Sequence, residues 1–199
     1  MDLSGLRHRT PVAVTDAARE AAVLAPLLRR DDEPHLLFTK RADHLGEHPG
    51  QMSFPGGGRE PSDADLRATA LREANEEIGL RPEETEIHGA LDDITTVTDY
   101  AVRPFVATVP DREYVPDESE VAEVVVLPVA ALTDLANYES ERRDHPEYGD
   151  HRVHFFRVDG YTVWGATGRM LVQLLELTTD WTMPPQVDRV VDPDADFPV

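Results

Sequence analysis

Gly56-Gly57-Gly58, followed fourteen residues later by Arg72-Glu73-Ala74-Asn75-Glu76-Glu77-Ile78-Gly79-Leu80, is the stretch whose reading decides the fold. Pro61 and Ser62 precede Asp65 in the pattern of a capping box, and Gly79 stands where a left-handed residue ends a helix. Together they predict a helix over residues 63–78. Leu71, Ala74 and Ile78, widened by Leu66 and Ala70, form its apolar stripe, which leaves Glu73, Glu76 and Glu77 on the opposite face. Glu73 and Glu77 are one turn apart, and such like-charge pairs cost a helix roughly 0.2 to 0.5 kcal/mol. The negative end of the helix dipole adds a similar penalty. A bound cation reverses both effects. Oxygen ligands on a rigid element, beside a glycine turn whose carbonyl can reach inward, suit a hard divalent ion such as Mg²⁺. Arg72 can pair with Glu76 one turn on and fix its orientation. The competing explanation is that an Asp- and Glu-rich chain acquires an acidic helix face from composition alone.

Outward from this stretch, Ala22–Leu28 and His35–Lys40 read as strands of a hairpin turned by Arg30-Asp31-Asp32-Glu33-Pro34. Residues 42–58 form a loop leading to the glycines. Further strands are expected at 86–91, 101–110, 121–127 and 151–158, with another extended segment at 161–164. Pro128 opens a short helix to Ala136, and 165–178 forms a final helix with Met170, Leu171, Leu174 and Leu175 in the core. Strands on both sides of one capped helix imply an α/β fold in mixed layers. Residues 1–19 are expected to be an arm, 20–178 the domain, and 179–199 an acidic tail, irregular or laid over the surface as a lid.

At 199 residues the chain fits one domain with one sizeable core. A net charge of −20, with Lys40 the sole lysine, argues against a nucleic-acid or anionic-membrane partner. No basic, apolar leader opens the chain and no apolar run is long enough for a span, so a cytoplasmic protein is expected. The absence of cysteine excludes disulfides and thiolate ligands. Abundant Asp and Glu with scarce lysine point to a halophilic cytoplasm, where molar salt shortens the Debye length to about 3 Å.

The ordered combination from Gly58 to Leu80 resembles the Nudix box, Gly-x5-Glu-x7-Arg-Glu-U-x-Glu-Glu-x-Gly-U, with Ala74 and Leu80 at the aliphatic U positions. Ala64 replaces the first Glu. The upstream sequence, Leu36-Leu37-Phe38-Thr39-Lys40-Arg41-Ala42 through His48-Pro49-Gly50-Gln51-Met52-Ser53-Phe54-Pro55-Gly56-Gly57, looks like the coenzyme A pyrophosphatase branch of that family. That branch commonly has Asp-x-Asp around the missing Glu, as in Asp63-Ala64-Asp65. Thr98–Val106 and Tyr161–Thr167 look like the same branch, whereas Gly46 stands where its signature has a basic residue.

The resemblance implies an α/β/α sandwich with a mixed central sheet and a metal-dependent hydrolase. Its substrate would be coenzyme A or a derivative, cut at the diphosphate to 3′,5′-ADP and 4′-phosphopantetheine. Glu73 and Glu77 would be the principal ligands of Mg²⁺ or Mn²⁺, with Glu76 a further ligand or water-orienting group and the Gly57 carbonyl an extra ligand. Glu76, Glu77 and Arg72 would form the catalytic set. Arg41, His48, Gln51 and Phe54 would contact substrate, Arg41 through its phosphate. The general base stays open, and a homodimer is an expectation for assembly. Hydrolysis of another nucleoside diphosphate derivative, such as ADP-ribose or a dinucleotide, is the alternative within enzymes. A nucleotide sensor without turnover is a further alternative, against which the intact Glu73, Glu76 and Glu77 argue. His44, His151, His154, Trp164 and Thr167 read as loop, strand or packing residues.

Overall fold

The structure is a computed structural model and describes residues 1–45, 50–96, 98–145, 149–192 and 195–197. Strand β1 (Arg19–Arg30) turns through Asp31 and Asp32, both at positive φ, into β2 (Glu33–Arg41), which is the expected hairpin. The presumed loop before the glycines contains two short strands, β3 (Met52–Ser53) and β4 (Gly56–Gly58). Helix α1 (Leu66–Ile78) precedes β5 (Glu86–Ala90), β6 (Ile94–Thr95), β7 (Tyr100–Thr108) and β8 (Val121–Pro128). The short α2 (Val129–Leu132) leads to β9 (Tyr138–His145), β10 (Gly149–Val158), β11 (Tyr161–Val163), α3 (Gly165–Thr178) and β12 (Arg189–Val191).

Eight strands form one mixed sheet along the path β3-β2-β1-β7-β5, with β4 on β1, β6 on β7 and β8 on β2. Only the β1–β7 pairing within it is parallel. Because side chains alternate along a strand, β1 feeds two cores. Ala22, Leu24 and Leu28 pack with Ala70, Ala74 and Ile78 of α1, while Ala21, Ala25 and Leu27 belong to the core that contains Met170, Leu171, Leu174 and Leu175 of α3. A helix on each side of the mixed sheet gives the expected α/β/α layering. A second sheet, β11-β10-β9-β12, extends the α3 side.

Helix α1 begins three residues later than the sequence predicts. Asp65 itself is the N-cap, accepting a 2.8 Å hydrogen bond from the Ala68 N–H, and Ser62 does not take that place. Gly79, at φ 64°, ends the helix as expected. The N-terminal arm lies on the domain: Leu6 is buried, and a Cβ on Gly89 of β5 would lie 2.3 Å from its carbonyl oxygen. The tail is more ordered than an irregular segment. β12 pairs in parallel with β9, Asp188 accepts from the Ser140 N–H at 2.7 Å, and Arg152 donates to the Pro184 and Gln186 carbonyls, each at 2.7 Å. No helix among the described residues is long and apolar enough to cross a membrane.

Candidate active site

The acidic residues of α1 do not all share one exposed face. Ala70, Ala74, Glu77 and Ile78 follow helical spacing along the buried stripe, so Glu77 is 7% exposed, whereas the predicted stripe residue Leu71 is half-buried. The placement of Glu77 opposite the core is thereby corrected. Its Oε2 is buried without a hydrogen-bond partner. Burial pushes the Glu77 carboxyl up to about 8, with the charges of Glu73 and Glu120 adding to the rise and the Gly56 backbone N–H and Arg41 opposing it. Burial also raises the Glu73 carboxyl, against the pull of Arg72, whose Nη1 is 2.9 Å away. Glu76 is the exposed member and pairs with Arg72 at 2.8 Å, the expected one-turn contact.

The glycine triplet has distinct local reasons. Strand β4 pairs antiparallel with β1, Gly56 opposite Val23 and Gly57 opposite Ala22. A Cβ on Gly56 would lie 2.4 Å from the Ala22 carbonyl oxygen, so backbone packing excludes it. A Cβ on Gly57 would lie 2.6 Å from the Glu73 carboxyl carbon. Gly57 therefore keeps open the space against that carboxylate.

Arg72 reaches further than Glu76. Its Nε and Nη2 donate to Asp63 at 3.0 and 3.1 Å, and Nη2 also donates to the Gly58 carbonyl at 3.0 Å. Asp63 additionally accepts from the Glu60 N–H at 2.9 Å and Thr69 Oγ1 at 3.0 Å. Arg72 first, then these donors, holds the Asp63 carboxyl well below the usual range. The two aspartates flanking Ala64 thus divide their work: Asp63 clasps the glycine strand to α1 through Arg72, and Asp65 caps the helix.

Arg41 lies where the β2–β8 register shifts, and its charge reaches Glu77. The Gln51 carbonyl accepts the Arg41 N–H at 3.0 Å, while Gln51 Nε2 would be 3.2 Å from a Cβ on Gly165, at the start of α3. Phe54 is 2% exposed and stacks on Phe38 with ring centroids 4.9 Å apart, in the core that contains α3. Its ring is thus held in the core rather than presented at the surface. His48 and Gly46 lie outside the described residues. His44 Nε2 is 3.2 Å from the Ser119 carbonyl. Glu120 was not singled out from sequence. It follows Asp117-Glu118-Ser119 without any ligand spacing; the Asp117 N–H on the Glu77 carbonyl at 2.8 Å, the Ala42 N–H on the Glu120 carbonyl at 2.9 Å and the start of β8 bring it to Glu73 and Glu77.

A hard divalent cation fits this group of residues. A buried carboxylate oxygen without a partner, a second carboxylate raised by burial and a glycine kept bare beside it are oxygen chemistry of the appropriate kind. Among the described residues no three acidic or imidazole groups already converge as a ligand set. Glu73 is drawn instead to Arg72.

The NUDIX domain family matches residues 18–148. The uncharacterized Nudix hydrolase NudL of Enterobacter sp. (strain 638) is 44% identical over 160 residues, covering 78% of this chain and 81% of that protein. NudL of Cronobacter sakazakii (strain ATCC BAA-894) is 42% identical over 157 residues, with 78% and 81% covered. A MutT/nudix family protein from Enterococcus faecalis superposes with a TM-score of 0.51 at 13% identity, over 85% of this chain and 65% of that chain, a likeness of fold. With a Nudix domain across most of its length and NudL relatives at this identity, the chain belongs to the Nudix hydrolase family and is a pyrophosphohydrolase.

Proposed function

We propose that the enzyme hydrolyses the diphosphate linkage of coenzyme A or its derivatives to 3′,5′-ADP and 4′-phosphopantetheine, with Mg²⁺ or Mn²⁺ held by Glu73 and Glu77. The observation that carries the hydrolytic reading is the buried, unpartnered Glu77 Oε2 beside Glu73 and within the field of Glu120. A bound divalent cation neutralises phosphate charge and activates water. The Gly57 carbonyl would add a ligand, and Glu76 would orient the attacking water or add another. Arg72 is a positioning residue, since Asp63 and Gly58 fix it between strand and helix. Water attacks one phosphorus, the bridging P–O bond breaks, and the proton released passes through a site carboxylate to solvent.

The choice of coenzyme A rests on the signature-like stretch from Leu36 to Gly57, in which Arg41 stands near Glu77 and can meet a substrate phosphate. ADP-ribose or a dinucleotide is the second reading, favoured by Gly46 at the expected basic position. The test is hydrolysis of coenzyme A, dephospho-coenzyme A, ADP-ribose and dinucleotides with Mg²⁺ or Mn²⁺ in high KCl, with products identified by mass. We expect coenzyme A to lead in kcat/KM and Arg41→Ala to narrow its lead. Equal turnover of coenzyme A and ADP-ribose, insensitive to Arg41→Ala, overturns the coenzyme A assignment.

A further inference from the structure

Past Gly58 the glycine strand opens into a cleft of about 380 Å³ that the chemistry above leaves unused. Arg19, Glu20, Gly58, Arg59, Glu60 and Tyr100 line it. Small-ligand sites commonly occupy about 300 to 1,000 Å³. The cleft borders the carboxylate site through Arg72, which donates to Gly58 and Asp63 of the cleft wall and lies 2.9 Å from Glu73. A substrate whose diphosphate sits at Glu73 and Glu77 has this cleft within reach of one of its two arms.

Arg19 is held differently from the arginines around it. Arg59, Arg72 and Arg103 are ion-paired to Glu20, Asp63 and Asp93, respectively. Arg19 instead lies over the Tyr100 ring, 4.1 Å from its centroid, and donates to the Tyr100 hydroxyl at 3.2 Å and the Thr98 carbonyl at 2.5 Å. The two residues are register partners of the parallel β1–β7 pair. A tight turn fixes the ring, with Asp99 at φ 61°, its N–H on the Thr96 carbonyl and the Tyr100 N–H on Thr96 Oγ1 at 3.2 Å. A guanidinium backed by an aromatic ring is a preorganised planar plate, and heterocycles stack on such plates. The carboxylates of Glu20 and Glu60 make the cleft a poor place for another phosphate but supply acceptors for an exocyclic amine. Glu20 is engaged by Arg59 at 2.7 Å, whereas Glu60 receives the Ser62 hydroxyl at 3.3 Å.

We propose that this cleft seats the nucleobase of the substrate, an amino-bearing purine, with Arg19 as the stacking plate and Glu60 accepting from its amine. The inference rests on the nucleoside diphosphate reading above and adds Arg19, Tyr100 and Glu60 as specificity determinants. It is tested by calorimetric binding to the Mg²⁺-loaded enzyme of AMP and ribose 5-phosphate, which share the phosphorylated ribose and differ at C1′, where one carries adenine and the other a hydroxyl. AMP should bind at least tenfold more tightly, and Arg19→Ala should reduce that ratio to about twofold or less while leaving ribose 5-phosphate unchanged. Tyr100→Phe, which keeps the ring, should preserve most of the ratio. Inosine 5′-monophosphate, lacking the amine, should bind more weakly than AMP, and Glu60→Gln should narrow the difference. Equal binding of the two probes by the unmodified enzyme, a ratio indifferent to Arg19→Ala, or an equal loss for both probes overturns the proposal. Neither probe contains a diphosphate to be cleaved. Failure to hydrolyse coenzyme A therefore overturns the substrate assignment while this ratio still reports on the cleft.

Discussion

Glu77 concentrates the conflict at the residue scale, because the site needs its charge and the protein interior disfavours it. In Glu77→Gln the shape is kept and the charge is lost. Turnover at saturating metal should fall a hundredfold or more, on the order of 3 kcal/mol of transition-state stabilisation. Without metal the same variant should melt at or above the temperature of the unmodified enzyme, since Gln is neutral without the proton uptake that burial, Glu73 and Glu120 impose on Glu77. Steady-state kinetics together with melts in chelator check both halves. Near-normal hydrolysis would remove Glu77 from the metal site. The residue is legible in the sequence as an acid at the correct helical spacing. Its burial is not, because that depends on β4 and β8 closing over the end of α1.

At the scale of elements, the junction of β4 and α1 sets two neighbouring glycines apart. In Gly56→Ala the new methyl meets the backbone of β1, which cannot yield, and a loss of about 2 to 4 kcal/mol is expected in urea unfolding. In Gly57→Ala it meets a side chain that can rotate. The fold should then survive with nearly unchanged urea unfolding, while displacement of Glu73 weakens divalent-ion binding tenfold or more by calorimetry. Equal stability losses in the two variants would refute this division. The second sheet carries its own titration. His154 on β10 is buried with Nδ1 2.9 Å from the Tyr138 hydroxyl on β9, and desolvation first, then Arg152 and Arg169, lowers it to about 4. The native state therefore favours neutral imidazole. Its contribution is complete above the unfolded value near 6.5 and is lost as pH falls toward 4, a change of roughly 3 kcal/mol. Unfolding free energies at pH 7 and 4.5 should show a smaller decline for His154→Gln than for the unmodified chain.

Over the whole molecule, 39 acidic against 19 basic side chains leave a net charge of −20. Several arginines are committed to local pairs, as Arg72 is to Asp63 and Arg103 to Asp93, so the excess negative charge remains for solvent to screen. Stability should climb steeply from dilute buffer to molar KCl as the Debye length contracts to about 3 Å. A melting temperature flat across that range would refute a salt-adapted surface and leave the catalytic proposal untouched.

What the sequence determined by itself was local in origin. The hairpin turn at Asp31 and Asp32, the left-handed stop at Gly79, the span of α3 over Gly165–Thr178 and the spacing of the acidic residues all follow from interactions within a few positions of the chain. The tertiary structure decided what those residues meet. It took Asp65 rather than Ser62 as the cap, gave Asp63 to Arg72, buried Glu77, enclosed Phe54 against Phe38 and brought Glu120 from outside the box. It also made a strand of Arg189–Val191. A strand of three largely exposed residues is too short to show a period, and pairing with β9 supplies the hydrogen bonds that define it. Charge, burial and partner are properties of the space between elements, and helical or strand periodicity specifies only the face from which a side chain enters that space.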